Sequence, residues 1–227
     1  MRGTIAILTV AILFGCGRAN SAQPKVRDFS PSEQAAMDIA QIDTGVAAVL
    51  RTHVPEPFYL HTPEADDINA RSGFAVARHP FRGVAFKVHP DSTMARIESI
   101  TKRIRPEGYA IYRSRMGFGG EPDEVCVLMT QQLDMVILRY EQTDGINYDI
   151  TTDSLIQVLE AWDLKLTVIG ASSDWMEASI DTPVSDWNVL ARQVYAFCPD
   201  VVGQGTGTVE ALAEEMRRTN TLYLWWD

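Results

Sequence analysis

The segment LKLTVIGASSDWMEASI, residues 164–180, decides the fold class of this chain. It contains two apolar runs of strand length, 165–171 and 175–180, joined by a short polar link. The segment therefore predicts two strands that lie next to each other in a sheet.

Helix signals flank this pair on both sides. Thr152 or Asp153 caps a predicted helix upstream, and two more helices are predicted downstream, over about 185–197 and from about Thr208. Nearer the start, Ser30-Pro31-Ser32-Glu33 is a helix-start signature, and helical spacing continues to about residue 51. Asp91 caps a further predicted helix, which Pro106 ends.

Strand signals occur at intervals between these helices. The predicted strands are 74–78, 84–88, 109–114, 124–130 and 222–226; residues 58–72 are predicted to form a loop, and 134–140 fits either a helix or a strand. This mixture of hairpin links and helical crossovers predicts an α+β (or α/β) fold, a mixed β-sheet layered with helices in a single globular domain. We divide it into an N-terminal α/β portion, 30–106, and a second part, 107–227.

Composition limits the classes of partner. The chain has 227 residues, 46% hydrophobic and 22% charged, with a formal net charge of -10. Such a balance is typical of a globular protein and repels phosphate backbones, so no nucleic-acid partner is expected. A cationic partner suits this charge.

The first residues predict a targeting segment rather than part of the folded domain. An apolar stretch of eleven residues ends in Leu13-Phe14-Gly15-Cys16, which resembles the lipobox of bacterial lipoproteins. The resemblance implies a signal peptide over 1–15, cleavage before Cys16, lipidation of Cys16, and a flexible tether over 16–29. The membrane, reached through this lipid anchor, is then a partner. The expected location is the cell envelope: the outer membrane facing the periplasm in a Gram-negative cell, otherwise the plasma-membrane surface.

Metal and cofactor motifs are absent from the sequence. It has no HExxH or CxxC spacing and no G-x-S-x-G nucleophile elbow. His61 lies near Glu64, Asp66 and Asp67, which we interpret as a solvated acidic loop. No metal and no cofactor are expected.

Two cysteines remain beyond the leader, Cys126 and Cys198. They form either a disulfide, which an oxidising envelope permits, or two separate buried thiols. Asp200 disfavours a thiolate at Cys198, so we interpret this cysteine as a packing residue and only a weak catalytic candidate.

The glycines that follow Cys198 indicate a joint between two helices. Gly203, Gly205 and Gly207 lack the Lys-Ser/Thr pair of a phosphate-binding loop, and a helix rather than a strand precedes them. Glycine permits positive φ in a turn, and Thr206, Gly207 or Thr208 is suited to cap the next helix.

A second polar stretch, QTDGINYD at 142–149, is the best candidate for a site. Asp144 and Asp149 are weak candidates for acid–base work, together with Cys198 and Asp200. The weak candidates for binding are Asn147, Tyr148, Gln204 and Asp227. Asp227 follows an apolar strand that is expected to be buried, so its carboxylate should meet Arg113 or Arg192, or line a polar site.

Four blocks carry a family resemblance: QTDGINYDI, VIGASSDWMEASI, VYAFCPDVVGQGTGTVEALAEEM and LYLWWD. Taken together they resemble the bacterial family called domain of unknown function 4253, over roughly residues 107–227. The resemblance implies one α/β-type domain that ends at Trp-Trp-Asp. It implies no activity, and no catalytic residue is carried over.

The sequence thus favours a non-catalytic, membrane-anchored lipoprotein that binds a protein or small-molecule partner in the cell envelope. The alternative is a hydrolase-type enzyme that uses the 144–149 carboxylates near Cys198 and Asp200. A pocket where these two segments meet would favour the enzyme.

Overall fold

The computed structural model describes residues 28–131 and 133–227. Within them a seven-stranded mixed sheet has the order β1-β2-β4-β3-β5-β6-β7. The strands are β1 Tyr59–Leu60, β2 Val84–Val88, β3 Tyr109–Arg115, β4 Asp123–Met129, β5 Leu166–Ala171, β6 Trp175–Ile180 and β7 Thr221–Trp225. All neighbouring pairs are antiparallel except β3 and β5, which run parallel with Arg113 opposite Gly170.

Helices cover the two faces of the sheet unequally. They are α1 Pro31–Ile39, α2 Thr44–His53, α3 Glu64–Ser72, α4 Pro90–Ile104, α5 Met135–Glu141, α6 Thr152–Ala161, α7 Trp187–Phe197 and α8 Val209–Thr219. On one face α1, α2 and α4 pack against β2, β3 and β4; on the other, α5 to α8 pack against β3 to β7. The helices on each face form a separate hydrophobic core, the first with α1, α2 and α4 and the second with α5 to α8. Side chains alternate along the central strands, so Ile111 packs in the first core and Tyr112 in the second.

One portion of the sheet is left outside both cores. Trp175, Tyr223 and Trp225 belong to neither buried cluster of the described residues, although Leu222 and Leu224 between them lie in the second core. The part of β6 and β7 that faces away from α8 is therefore uncovered at Tyr223 and Trp225, although Trp175 on the same side is buried, at 7% exposure.

The predicted fold class is confirmed, since the described residues form one α+β domain around a mixed sheet. The strand predicted at 175–180 has those bounds, and Thr208 caps α8 through Ala211 N–H. Ser30 and Glu33 form the expected capping box of α1. The ambiguous 134–140 segment is helical, as α5.

Five local predictions are wrong, the first being the cap of α6, which is Thr151 rather than Thr152 or Asp153. The helix predicted to reach residue 51 breaks between α1 and α2, where Gln41 has a φ of 54°. His89 rather than Asp91 caps α4. Residues 74–78 form no strand, and Phe74 and Val76 remain 70% and 48% exposed. The loop predicted over 58–72 contains β1 and α3, a helix too polar to show an apolar stripe.

His61 is buried rather than part of a solvated loop. Its Nε2 lies 2.9 Å from Glu141 Oε1, and its Nδ1 lies 3.1 Å from Glu124 Oε1. Tyr112 Oη also donates to Glu141. Burial alone would lower the pKa of His61, but the two carboxylates outweigh it and raise that pKa to about 9.

This network joins the parts of the chain on either side of residue 106. His61 precedes that position, and Glu124 and Glu141 follow it. The sheet also joins the two parts of the chain, because β2, which precedes residue 106, pairs along its whole length with β4, which follows it.

The predicted signal peptide, the predicted lipidation site Cys16 and most of the predicted tether lie outside the described residues. Among the helices that are described, none is long and apolar enough to cross a membrane.

Candidate functional site

The loop at 144–149 and the turn after Cys198 do meet, at Asp200. Tyr148 Oη donates a hydrogen bond of 2.8 Å to Asp200 Oδ1, and Asp227 N–H donates one of 3.1 Å to Oδ2. Burial acts to raise the pKa of Asp200, but these bonds and one from Gln204 lower it. Four of the predicted site residues are thus connected. Asp227 reaches this point through its backbone, while Arg113 pairs with Glu177 instead.

A tryptophan ring sets the position of the loop. Trp226 is 3% exposed, and a Cβ built on Gly145 would lie 2.9 Å from its ring. Glycine therefore allows the loop backbone to lie flat on the indole. Asp144 N–H donates to Ser173 O, and burial raises the pKa of the Asp144 carboxyl.

The other two loop candidates face solvent. Asn147 and Asp149 are both exposed, and Asp149 has a φ of 56° at the end of a short 3-10 turn. No contact in the described residues joins the Asp149 carboxylate to that of Asp144. The arrangement does not build an acid–base pair.

Both cysteines are buried free thiols, so the disulfide alternative does not apply. Cys198 Sγ donates to Trp225 O at 3.0 Å, and burial raises its pKa to about 11. Burial also raises the pKa of Cys126 well above its ordinary value. A thiol in such surroundings stays protonated at neutral pH and is a poor nucleophile.

The glycine-rich joint is more compact than a simple turn. Residues Val201–Thr206 form a turn of π-helix, and Gly207 ends it with a φ of 79°. Gly207 thus requires glycine for its backbone conformation, whereas a Cβ on Gly203 would meet open space. The joint between α7 and α8 that the sequence predicts is present.

Among the recesses of the described residues, two are lined by both Tyr223 and Trp225 of β7. Tyr223 is 36% exposed and Trp225 half-buried, so the expectation of a fully buried last strand is wrong for one side of it. Because side chains alternate along a strand, Leu222 and Leu224 fill the core and leave the aromatic residues outside.

The first recess, which we call the sheet-side cleft, lies over the uncovered sheet. Its volume is about 410 Å³, and it is lined by Glu64, Arg115, Met116, Phe118, Asp174, Trp175, Tyr223 and Trp225. The rings of Trp175 and Tyr223 stack with centroids 6.2 Å apart and planes inclined by 26°. The Arg113 guanidinium lies 5.6 Å from the Trp175 ring centre, so a cation already uses this aromatic surface.

Two carboxylates, those of Glu64 and Asp174, line this cleft together with the cationic Arg115. Partial burial of the Asp174 carboxyl raises its pKa, and the nearby charges of Glu64, Asp227 and Asp144 raise it further, although the residue as a whole is exposed. Glu64 is held in place by a 2.7 Å hydrogen bond from Ser172 Oγ. The mutual repulsion of these groups means that a bound cation would be stabilised there.

The second recess, the helix-side recess, lies between β7 and α8. It has a volume of about 240 Å³ and is lined by Val201, Gly205, Thr206, Leu212, Glu215, Met216, Thr219, Thr221, Tyr223 and Trp225. One wall is thus the glycine-rich joint. Neither recess is lined by Asp144, Asp149, Cys198 or Asp200.

Sequence reasoning missed the residues that form the cleft. Asp174, Trp175, Tyr223 and Trp225 were not among the candidates, and Glu64 was considered only as part of the acidic loop near His61. The alternation in LYLWW nevertheless indicates that one side of the last strand is uncovered. No cluster of His, Cys, Asp and Glu in the described part of the chain has an arrangement that could hold a metal ion.

Fold and site together define a single-domain α+β protein with an aromatic, acid-rimmed cleft on an edge strand. The family model described as Domain of unknown function (DUF4253) matches residues 125–227, the C-terminal part of the chain. The resemblance noted in the sequence is confirmed over that segment. No curated protein and no solved structure matches the chain.

Proposed function

We propose that this protein is a non-catalytic binding module of the cell envelope that takes a cationic group, an amine or guanidinium, into the sheet-side cleft. The observation that carries the proposal is the position of Asp174: its carboxyl stands beside Trp175 and Tyr223, and three other carboxylates repel it. A cation placed there would gain from both the acids and the aromatic faces.

The whole-molecule charge supports the same class of ligand. A protein with a formal net charge of -10 attracts cations from a distance and speeds their association. Within the cleft, Arg113 is held by Glu177 at 2.7 Å and reaches Trp175 from the side of β3, which leaves the Tyr223 side of the aromatic pair for a ligand.

A binding role also agrees with the state of the potential nucleophiles. Both thiols have raised pKa values, and the one perturbed carboxyl of the 144–149 loop, Asp144, lies outside both recesses. Catalysis by these groups would need a lowered thiol pKa or a paired carboxylate at a cleft.

The test is a titration with L-arginine amide, followed by NMR of the indole N–H signals of Trp175 and Trp225. L-Citrulline amide, which has nearly the same shape without the charge, is the ligand control. We expect saturable shifts with the arginine compound and affinity at least fivefold weaker with the citrulline compound. Equal affinity for both would contradict a cation site.

Two variants locate the site, each with a matched control. Asp174→Asn and Tyr223→Ala should each weaken arginine amide about fivefold, since an exposed ion pair or cation–π contact is worth up to about 1 kcal/mol. Asp38→Asn makes the same charge change at an exposed position of α1, and Tyr195→Ala removes a tyrosine of similar exposure on α7. Both controls should bind like wild type.

Anchoring is the second part of the proposal, and it rests on the lipobox resemblance of residues 13–16. Acyl chains on Cys16 would hold the domain at a membrane, because each buried CH₂ adds about 0.8 kcal/mol. In the native host the Cys16→Ala protein should leave the membrane fraction. Unchanged fractionation would overturn the anchor while leaving the cleft untouched.

A further inference from the structure

We infer that β7 accepts an extended segment of a basic partner polypeptide as an eighth strand, with a Lys or Arg side chain of that segment in the sheet-side cleft. The inference rests on the proposed function for the identity of that side chain. The strand addition itself follows from the backbone of β7.

The first argument is the direction of the backbone groups. Trp226 N–H donates to Asp174 O, and Ile180 N–H donates to Asn220 O. The even-numbered residues of β7 therefore turn their N–H and C=O groups toward β6. Thr221, Tyr223 and Trp225 turn theirs to the outer edge, with which no strand of the described residues pairs.

Only the two ends of this edge are capped. Thr219 Oγ1 accepts from Thr221 N–H at 3.3 Å, and Cys198 Sγ donates to Trp225 O at 3.0 Å. The hydrogen bonds among the described residues leave four groups between these ends open: Thr221 C=O, both groups of Tyr223, and Trp225 N–H. A strand centred on Tyr223 satisfies them, and this is the usual chemistry of strand addition at an open sheet edge.

The second argument is that recesses lie on both sides of the edge. Alternate side chains of an added strand point to opposite faces. One set would enter the helix-side recess, where Leu212 and Met216 offer apolar contact, and the other would enter the sheet-side cleft with its acids. A segment that alternates apolar and basic residues fits both.

Charge selects a basic polypeptide over a second copy of this chain. Two copies joined edge to edge would bring together two molecules that each carry a formal net charge of -10. Glu215 in one recess and Glu64 and Asp174 in the other would add to that repulsion. The same groups attract Lys or Arg.

The test uses a fluorescein-labelled peptide, (Val-Lys)₃-Val with a blocked carboxyl end, and fluorescence anisotropy. A second peptide carries N-methyl groups on its central lysine and on the valine before it, which removes backbone donors and crowds the strand edge while the side chains stay. We expect the methylated peptide to bind at least tenfold more weakly. Equal binding of the two peptides would overturn strand addition.

Two substitutions at one position separate backbone from side chain. Tyr223→Ala removes the ring but keeps the N–H, whereas Tyr223→Pro also removes the N–H; because that N–H points outward, the ladder to β6 is kept. We expect the proline variant to bind the peptide at least tenfold more weakly than the alanine variant, with Tyr195→Ala unchanged. Equal affinity of the two Tyr223 variants would contradict the inference.

Wild-type protein provides a readout that needs no substitution. On adding the unmethylated peptide, the amide protons of Tyr223 and Trp225 should become at least tenfold more protected from exchange, while those of Leu222 and Leu224, already bonded to β6, should change little. Unchanged protection at Tyr223 while the peptide is bound would overturn the inference.

Failure of the two proposals can be told apart. If arginine amide still binds but N-methylation has no effect, the cation site stands and strand addition is wrong. If neither arginine amide nor peptide binds, both are wrong. A wild-type dimer that Tyr223→Pro makes monomeric, and that the peptide does not dissociate, would assign the edge to a second copy instead.

Discussion

His61 Nε2 lies 2.9 Å from Glu141 Oε1, and the two side chains are 2% and 0% exposed although 80 residues separate them in the chain. The contact links the segment before α3 to the end of α5. Glu124 on β4 adds a second carboxylate, so one imidazolium neutralises acids from two elements. A charged group this deeply buried persists only when it is paired.

Removing this imidazole should therefore destabilise the fold strongly. His61→Gln leaves Glu141 buried without its cation, and breaking a buried pair typically costs about 3–5 kcal/mol. Urea denaturation at pH 7 measures the change. The control is His89→Asn: His89 is an exposed N-cap of α4, asparagine also caps, and the change should stay within about 0.5 kcal/mol. Similar losses in both variants would contradict a special role for His61.

The pH dependence follows from the pKa of His61, raised from 6.5 to about 9. When the pKa of a histidine is higher in the folded than in the unfolded protein, its protonation stabilises the fold. This contribution is complete at a pH below the unfolded-state pKa and is lost as the pH rises through the folded-state pKa. About 3 kcal/mol should therefore disappear between pH 6.5 and about 9. The measurement is the difference in unfolding free energy between wild type and His61→Gln at each pH, which cancels the tyrosine and cysteine titrations. A difference that stayed constant or grew with pH would contradict this assignment.

The two thiols beyond the leader should be unreactive in the folded protein. Cys126 and Cys198 are both 0% exposed with raised pKa values. In a Cys16→Ser background, a chromogenic disulfide reagent at pH 8 should detect almost no thiol before denaturation and two afterwards. Rapid reaction of one thiol in the native protein would reopen a catalytic interpretation of Cys198.

Three glycine-to-alanine changes test what the glycines do. Gly145→Ala should cost about 1–3 kcal/mol because its Cβ would lie 2.9 Å from the Trp226 ring. Gly207→Ala should cost about 1–2 kcal/mol because alanine resists a φ of 79°.

Gly203→Ala is the internal control for this set. Its Cβ would meet no atom within 4 Å and its φ is ordinary, so stability should hold or rise slightly. Thermal unfolding of the three variants gives the order directly. A large loss at Gly203 together with none at Gly207 would contradict the described joint.

Local chemistry made part of the fold predictable. The bounds of β6 and the cap of α8 by Thr208 follow from alternation and from hydroxyl capping, which act over a few residues. The sequence also suggested that the 144–149 loop could meet the turn after Cys198, and the hydrogen bond between Tyr148 and Asp200 joins the two segments.

The remainder depends on contacts between distant residues. α3 is polar along its length, and Asp66 within it is buried by bonding to His79 and Gln142. The cleft combines Glu64 of α3 with Asp174 and Tyr223, which no short sequence pattern connects. His61 looked like one member of an acidic loop because its true partners lie on β4 and α5.

The position of β3 has a consequence for anyone who expresses a shorter piece of this protein. The family match begins at Val125, inside β4, but β3, residues Tyr109–Arg115, is the strand that separates β4 from β5 in the sheet. A fragment cut at the family boundary would lack β1, β2 and β3, so β4 would lose both of its neighbouring strands and the helices that cover one of its faces. Family boundary and folding unit are therefore different objects here, and a stable fragment needs β2 and the helices α1, α2 and α4 as well as β3.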